Sequence, residues 1–302
     1  MKVYDCFTFY NEFELLELRL KSLWNVVDYF VLVEADKTLT NKPKPFYFAE
    51  SMKDFKEFLP KIRHIPLNVN VDYKGVGDWQ IEFGQRNGIM YGLSDAEPDD
   101  LIFISDLDEF PAPDILQRIE KNQAPVISQC PVTPLADGRI LRVPCQILVP
   151  AAELLEYVPL TLQQTFHYYY FDWIAGGDWK GTVLVKRKNL TTPQEMRNAK
   201  GSFPFIPNGG WHFSYMGGVD KIIKKMTSIV DGNELVVRAK ANLTDREYVK
   251  ECMKSGKDIY GRKNMAESQF YPYDISNIKL PYLAEFLKKY PHFLRKYDFG
   301  DE

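Results

Sequence analysis

The sequence predicts an α/β fold: a mainly parallel central sheet flanked by helices, with a helical carboxyl-terminal extension. Three observations predict it. Apolar runs alternate with segments of helical periodicity from Val3 to Lys121, and strand–helix–strand order gives parallel strands joined by helical crossovers. The runs at Tyr29–Val33 and Leu101–Ile104 are apolar throughout, as a sheet covered on both faces requires. The carboxyl ends of the strands carry polar residues each time: Asn11 and Glu12, then Glu34 and Asp36, then Asp106, Asp108 and Glu109. Ligands of such sheets bind beyond those ends.

Val3–Phe9 reads as the first strand. Asn11 reads as a helix N-cap, with Glu14 three residues on as in a capping box, and Phe13, Leu16, Leu20 and Leu23 follow at helical spacing. Tyr29–Val33 is the second strand. The prolines of KTLTNKPKP forbid regular structure. Met52–Leu59 reads as a short helix, Ile62–Leu67 as a strand, Gln80–Leu93 as a helix and 101–105 as a strand. Pro113–Lys121 follows as a helix opened by proline. Residues 124–160 hold six prolines and the alternating stretch RILRVPCQILV, read as a hairpin or edge strand. Lys221–Val230 and Asp245–Ser255 have helical character, as does LPYLAEFLKKYPHFLRKY, broken by Pro291. No internal repeat or low-complexity linker divides the chain. The expectation is one domain, residues 1–235, with residues 236–302 packed on it as a helical extension.

Net charge is −3, which argues against nucleic acid as the main partner. The four cysteines (Cys6, Cys130, Cys145 and Cys252) are scattered with no CxxC pair, a pattern that predicts free thiols, a reduced compartment and no zinc site. The amino terminus turns polar within a few residues and reads as no signal peptide. No apolar run is long enough for a transmembrane segment. The expected address is cytoplasmic. Aromatic residues make up 14% of the chain; most belong in a core, and some suit stacking on sugar rings.

In DDLIFISDLDEFP, residues 99–111, an apolar strand runs into Asp106, Asp108 and Glu109. Adjacent carboxylates repel and raise each other's pKa unless a cation sits among them. A solvated turn is the plain reading. A haloacid-type phosphatase needs Thr or Val where Phe110 stands, and Phe110 and Pro111 exclude a calcium loop. Acids two residues apart do not show the carboxylate spacing of a glycosidase. A divalent cation remains: carboxylates are hard ligands for manganese or magnesium, which commonly also hold substrate phosphates.

SDLDEFP resembles the metal-binding DXD element of GT-A glycosyltransferases. Further pieces resemble one group, glycosyltransferase family 17, that of the β-1,4-mannosyl-glycoprotein N-acetylglucosaminyltransferases. They are FYNEFELLELRLKSLWNVVDYFVLVEADKTLTNKPKPFYF (9–48), GQRNGI (84–89), WKGT (179–182), GGWHFSYMGG (209–218), Lys225 and the closing LPYLAEFLKKYPHFL. Residues 124–160 find no counterpart and read as an insertion atypical of the family. The resemblance implies a GT-A-type Rossmann-like domain. It also implies inverting transfer of a sugar from a UDP-sugar, UDP-N-acetylglucosamine (UDP-GlcNAc), to a hydroxyl of a glycan acceptor, with Mn2+ or Mg2+ as cofactor.

Roles follow on that footing. Asp106 and Asp108 are the candidate metal ligands, Asp108 the more direct and Asp106 acting through water or the ribose, with His212 as third ligand. Asn11, Glu34, Arg86, Asp106 and Lys225 are the donor-binding candidates: Arg86 to bridge diphosphate and Asp106, Lys225 to add positive charge, Asn11 and Glu34 to meet the uridine. Asp178 is the lead for the catalytic base, with Glu109 as the alternative. Tyr169, Trp173, Trp179 and Trp211 are the acceptor-stacking candidates. Two other classes stay open. One is a non-catalytic relative binding carbohydrate or nucleotide sugar; the other is a hydrolase using the acidic cluster.

Overall fold

The computed structural model of the chain describes residues 1–134, 140–238, 242–262 and 270–299. The expected insertion at 124–160 and extension at 236–302 therefore lie partly outside the described residues.

Among the described residues, eleven strands form one sheet: β1 (Val3–Phe9), β2 (Tyr29–Ala35), β3 (Ile62–Leu67), β4 (Leu101–Asp106), β5 (Glu109–Pro111), β6 (Val126–Pro134), β7 (Ile140–Ile147), β8 (Leu160–Tyr168), β9 (Trp173–Lys186), β10 (Phe205–Ser214) and β11 (Phe270–Pro272). The order along the sheet is β3-β2-β1-β4-β9-β8-β10-β6-β7, with β11 on β9 and β5 on β10. The expected α/β class and parallel core are present: β3, β2, β1 and β4 are all parallel. From β9 onward the pairing is mixed, since β4–β9 and β8–β9 are antiparallel and β8–β10 is parallel.

Strand alternation sends successive side chains to opposite faces, and here both faces are covered. Phe7, Phe9, Leu32 and Phe103 enter one cluster with the helix Phe13–Leu23. Tyr4, Cys6, Val31, Val33, Ile102 and Ile104 enter the other. This explains the continuous apolar strands.

Three local readings are corrected. Asn11 caps nothing: the first helix starts at Phe13, and the Glu12 carboxylate instead accepts the backbone N–H groups of Tyr10 and Asn11. Met52–Leu59 is no α-helix; an α-helical turn at Tyr47–Ser51 passes into 3-10 turns. The Gln80–Leu93 helix is α-helical only to Asn87, and Gly88–Leu93 is 3-10, where Gly88 and Gly92 lie tight on Leu67 and Val31. The RILRVPCQILV stretch supplies β7, which pairs with β6 as a hairpin at the sheet's end.

Cys6 and Cys252 are free and buried, while Cys145 is disulfide-bonded. The expectation of four free thiols fails, and the cysteine argument for a reduced compartment goes with it, because disulfides persist in oxidising surroundings. The side chain of Cys130 lies outside the described residues. No helix among the described residues is long and apolar enough to cross a membrane.

Candidate active site

Two buried charges inside the apolar framework set the DXD turn. Asp5, on β1, and Arg19, on the first helix, are both fully buried. Arg19 Nε and Nη2 donate to Asp5 at 2.8 and 2.6 Å, and such a fork is the strong geometry for a carboxylate. The same guanidinium donates to Ser105 Oγ at 2.6 Å and to the carbonyls of Leu107 and Glu109 at 2.9 and 2.7 Å. The turn that carries Asp106 and Asp108 is thus held by its backbone, leaving the side chains to face outward.

Those side chains meet cations. Asp106 Oδ1 accepts from Arg86 Nη2 at 2.9 Å and Oδ2 from Arg197 Nη2 at 2.8 Å. Asp108 Oδ2 accepts from Lys225 Nζ at 2.9 Å, and His212 Nε2 lies 3.5 Å from Oδ1. Glu109 accepts twice from Arg197, at 2.6 and 2.9 Å, and from Trp179 Nε1 at 2.6 Å. Burial alone would raise all three carboxyls. The facing charges outweigh it and hold them below the usual range: Arg197 then Arg86 for Asp106, Lys225 then His212 for Asp108, Arg197 then Lys200 for Glu109. The repulsion expected of adjacent acids is therefore relieved by cations.

His212 owes its place to a glycine. Gly210 has φ +149°, and a Cβ there would stand 1.9 Å from the Phe110 carbonyl oxygen. Without one, β10 lies against β5 with His212 opposite Glu109. The imidazole stacks on Phe166 with centroids 4.8 Å apart and lies tilted against Trp179 at 4.7 Å. Its Nδ1 is buried with no hydrogen-bond partner among the described residues.

Apart from Arg197 and Glu109, which lie behind the wall, the groups around Asp106, Asp108 and His212 line a cleft of about 760 Å3 beyond the ends of β1 and β4. Of the residues singled out in the sequence, it gathers Arg86, Asp106, Asp108, Trp179, His212 and Lys225. The others do not line it. Glu34 is buried, its carboxylate engaged by the Phe48 N–H at 3.1 Å and by His64 at 3.2 Å. Asn11 is off the wall, between Tyr10 and Glu12, which are on it. Asp178 is exposed and bonded to Gln163. It neighbours Trp179 in β9, so the strand's alternation sends it to the other face. Glu109 is fully buried behind Arg197 and Trp179. Tyr169 is core, its hydroxyl donating to the Lys257 carbonyl at 2.9 Å. Trp173 packs on Gly256, and Trp211 belongs to the main core.

The sequence reading missed Arg197 and Arg19. Arg197 is 91 positions from Asp106, on a helix (Pro193–Ala199) capped by Thr192, and no local motif marks it. Arg19 left a signal: it falls three after Leu16 and four before Leu23, on the apolar stripe, where a charge needs a buried partner.

A divalent cation can be tested against these donors. Among the described residues no three His, Cys, Asp or Glu side chains gather as a metal cluster. Asp106, expected as a ligand, has both oxygens taken by guanidinium groups. Asp108 Oδ1 and His212 Nε2 are close enough to share one ion, and magnesium-like ions commonly take one or two protein ligands together with waters and phosphates. The donor set fits at those two residues only.

Comparison with known proteins follows the same residues. The family model "Glycosyltransferase family 17" matches residues 1–127. Beta-1,4-mannosyl-glycoprotein 4-beta-N-acetylglucosaminyltransferase of Rattus norvegicus is 32% identical over 122 residues, covering 37% of this chain and 22% of that protein. The Homo sapiens enzyme of the same name is 34% identical over 113 residues, covering 34% and 21%. The match thus spans about a fifth of the length of these relatives. The mannosyltransferase PcManGT of Pyrobaculum calidifontis, solved with GDP-Man and Mn2+, aligns over 99% of this chain and 83% of its own at 11% identity and a TM-score of 0.33, too low to decide anything. The resemblance to glycosyltransferase family 17 read from the sequence is accordingly shown over residues 1–127, the part that contains β1 to β5 and the DXD turn.

Proposed function

We propose that the chain is a glycosyltransferase that moves a sugar from a nucleotide diphosphate donor to a hydroxyl of a glycan acceptor. One observation carries the reading. The two DXD carboxylates stand at the end of β4, in a cleft of donor size, each fixed by a cation that also lines the cleft. A diphosphate leaving group needs such charge, placed beforehand where negative charge develops.

The finer assignment is UDP-GlcNAc as donor, in line with the names of the relatives matched by the amino-terminal part. Lys225 and Arg86 supply fixed positive charge on the cleft wall. Asp106 orients Arg86 and Arg197 and is no direct ligand. Asp108 and His212 would hold a divalent cation, which when bound supplies Lewis-acid stabilisation of the departing diphosphate. Trp179, anchored through Nε1 on Glu109, presents an aromatic face beside His212.

The test is a transfer assay with UDP-GlcNAc and other nucleotide sugars against a panel of glycan acceptors, with UDP release followed with and without acceptor. The proposal expects UDP release that depends on acceptor and a new glycoside. Release without acceptor would mark a hydrolase. Binding without turnover across the panel would mark a non-catalytic relative. Either would overturn it.

A further inference from the structure

With Asp178 and Glu109 both off the cleft, the reaction lacks a base, and the cleft itself offers one. Six carboxylates line it: Glu12, Glu82, Asp106, Asp108, Asp231 and Glu234. Asp106 and Asp108 are held by the cations already described. Glu82 is paired with Arg86 at 2.8 Å. Glu12 accepts two backbone N–H groups, and Glu234 is not without a partner. Asp231 has no hydrogen bond or ion pair among the described residues, and it is exposed to the cleft from the first turn of the helix Val230–Arg238.

Its position is close to the reacting end. The Tyr215 hydroxyl, bonded to that of Tyr260 at 2.6 Å, lies in the field of both Asp108 and Asp231, so one tyrosine of the cleft wall stands near both carboxylates. Tyr260, Arg262 and Leu235 line the wall around it. A sugar hydroxyl entering between these groups meets a carboxylate with open acceptor capacity.

Resting on the transferase reading above, we infer that Asp231 is the catalytic base. Its carboxylate takes the proton of the acceptor hydroxyl. The acceptor oxygen forms a bond to the anomeric carbon, the bond from that carbon to the diphosphate oxygen breaks, and the nucleoside diphosphate leaves with the electron pair. The products are the glycoside, the diphosphate and protonated Asp231, which returns its proton to water. Partial desolvation on the cleft wall, then Glu234 one turn on, raises the carboxyl against the opposing pull of Arg262, which makes it a stronger base than a fully solvated aspartate. The charged and titratable groups near it are Glu234 on its own helix, and Arg262, Tyr260 and Tyr215 from other segments.

The experiment compares wild type, Asp231→Asn and Asp231→Glu for turnover against pH, UDP binding by calorimetry, and melting temperature. Asp231→Asn should lose about 100-fold or more in kcat, the usual reach of general base catalysis. It should also lose the acidic limb of the kcat profile while keeping UDP affinity. Asp231→Glu should recover part of the turnover with a shifted limb. A charge that merely suits the helix end would move the melting temperature and leave the profile alone. Turnover within tenfold of wild type in Asp231→Asn overturns the assignment, as does a surviving acidic limb. If the Asn variant does not fold, an unshifted limb in Asp231→Glu overturns it instead. Wild type that transfers no sugar from any donor would fail the transferase reading itself, a distinct result.

Discussion

Arg197 Nη2 donates to Asp106 Oδ2 at 2.8 Å across 91 positions of sequence, while its Nη1 is 2.6 Å from Glu109 Oε2. One guanidinium, 6% exposed, therefore holds both ends of the DXD turn. Arg197→Ala leaves Glu109, only 1% exposed, as a buried charge short of its main partner. Breaking such a pair costs about 3–5 kcal/mol. The 36% exposure of Asp106 lets solvent screen its share. Arg197→Lys should recover part of the loss, since it keeps charge without the fork. Denaturant unfolding checks this, and a cost below about 1 kcal/mol for Arg197→Ala would show that the turn stands without it.

Asp106 and Asp108 should separate in their behaviour. Asp108→Asn removes the oxygen shared with His212 and the partner of Lys225. It should abolish manganese-dependent UDP binding and cost about 1–3 kcal/mol, the range for a group left unpaired. Asp106→Asn should lose stability through Arg86 and Arg197 and retain manganese-dependent binding. Calorimetric titration of UDP with and without chelator decides. Equal loss of metal dependence in both variants would restore Asp106 as a ligand.

The amino-terminal fold was legible because β2 and β4 carry apolar residues on both faces and the first crossover helix, Phe13–Leu23, has its own periodicity. The end of β4 was legible because three acids follow a buried strand. Beyond β5 the sheet turns mixed, and β9 pairs with β4 and β10 with β8 across long intervals that no local pattern encodes. Their aromatic residues misled for the same reason. Trp173, Trp179 and Trp211 look alike in sequence, but only Trp179 is turned toward the cleft. Asp178 failed by a single position, since one step along a strand changes the face. Asp231 carries no motif, and only the path of its helix over the cleft reveals it.

Acid should destabilise the protein through the turn. Asp106, Asp108 and Glu109 have folded-state pKa values depressed below their unfolded values. The stability they contribute is fully present above the unfolded values, about 4, and is lost as pH falls toward the folded ones. Unfolding free energy should hold from pH 7 to about 5 as far as these groups act, then fall steeply below about 4. Arg197→Ala should flatten that fall. An equal acid slope in the variant would place the titrating groups elsewhere.

The disulfide at Cys145 gives a direct chemical count. Of the four cysteines in the chain, fewer than four should react with a thiol reagent after denaturation without reductant, and all four after reduction. Cys6 and Cys252 are buried and should react only once the chain unfolds. Four reactive thiols in the unreduced, denatured protein would remove the disulfide and bring back the argument for a reduced compartment.

Lys200 should be a cost to the fold that grows with its charge. Its ammonium sits 4.3 Å from the Trp179 ring centroid and 3.8 Å from Glu109 Oε1. Burial, and then the Arg197 charge, push its pKa down from 10.5 to about 8. A lysine with a depressed folded pKa opposes folding wherever the unfolded chain binds the proton more strongly. At pH 7 both states are protonated and the whole penalty is present. Between about 8 and 10.5 the folded protein sheds the proton first and the penalty shrinks; above that range both states are neutral and it is gone. Lys200→Met keeps the apolar stem over Trp179 and removes the charge, so it should stabilise the protein at pH 7. That gain should fade across pH 8 to 10.5. Paired denaturant melts of the two proteins from pH 6 to 11 measure it. Destabilisation at pH 7 would mean that the attraction to Glu109 outweighs burial and that Lys200 belongs with Arg197 as a structural cation of the turn.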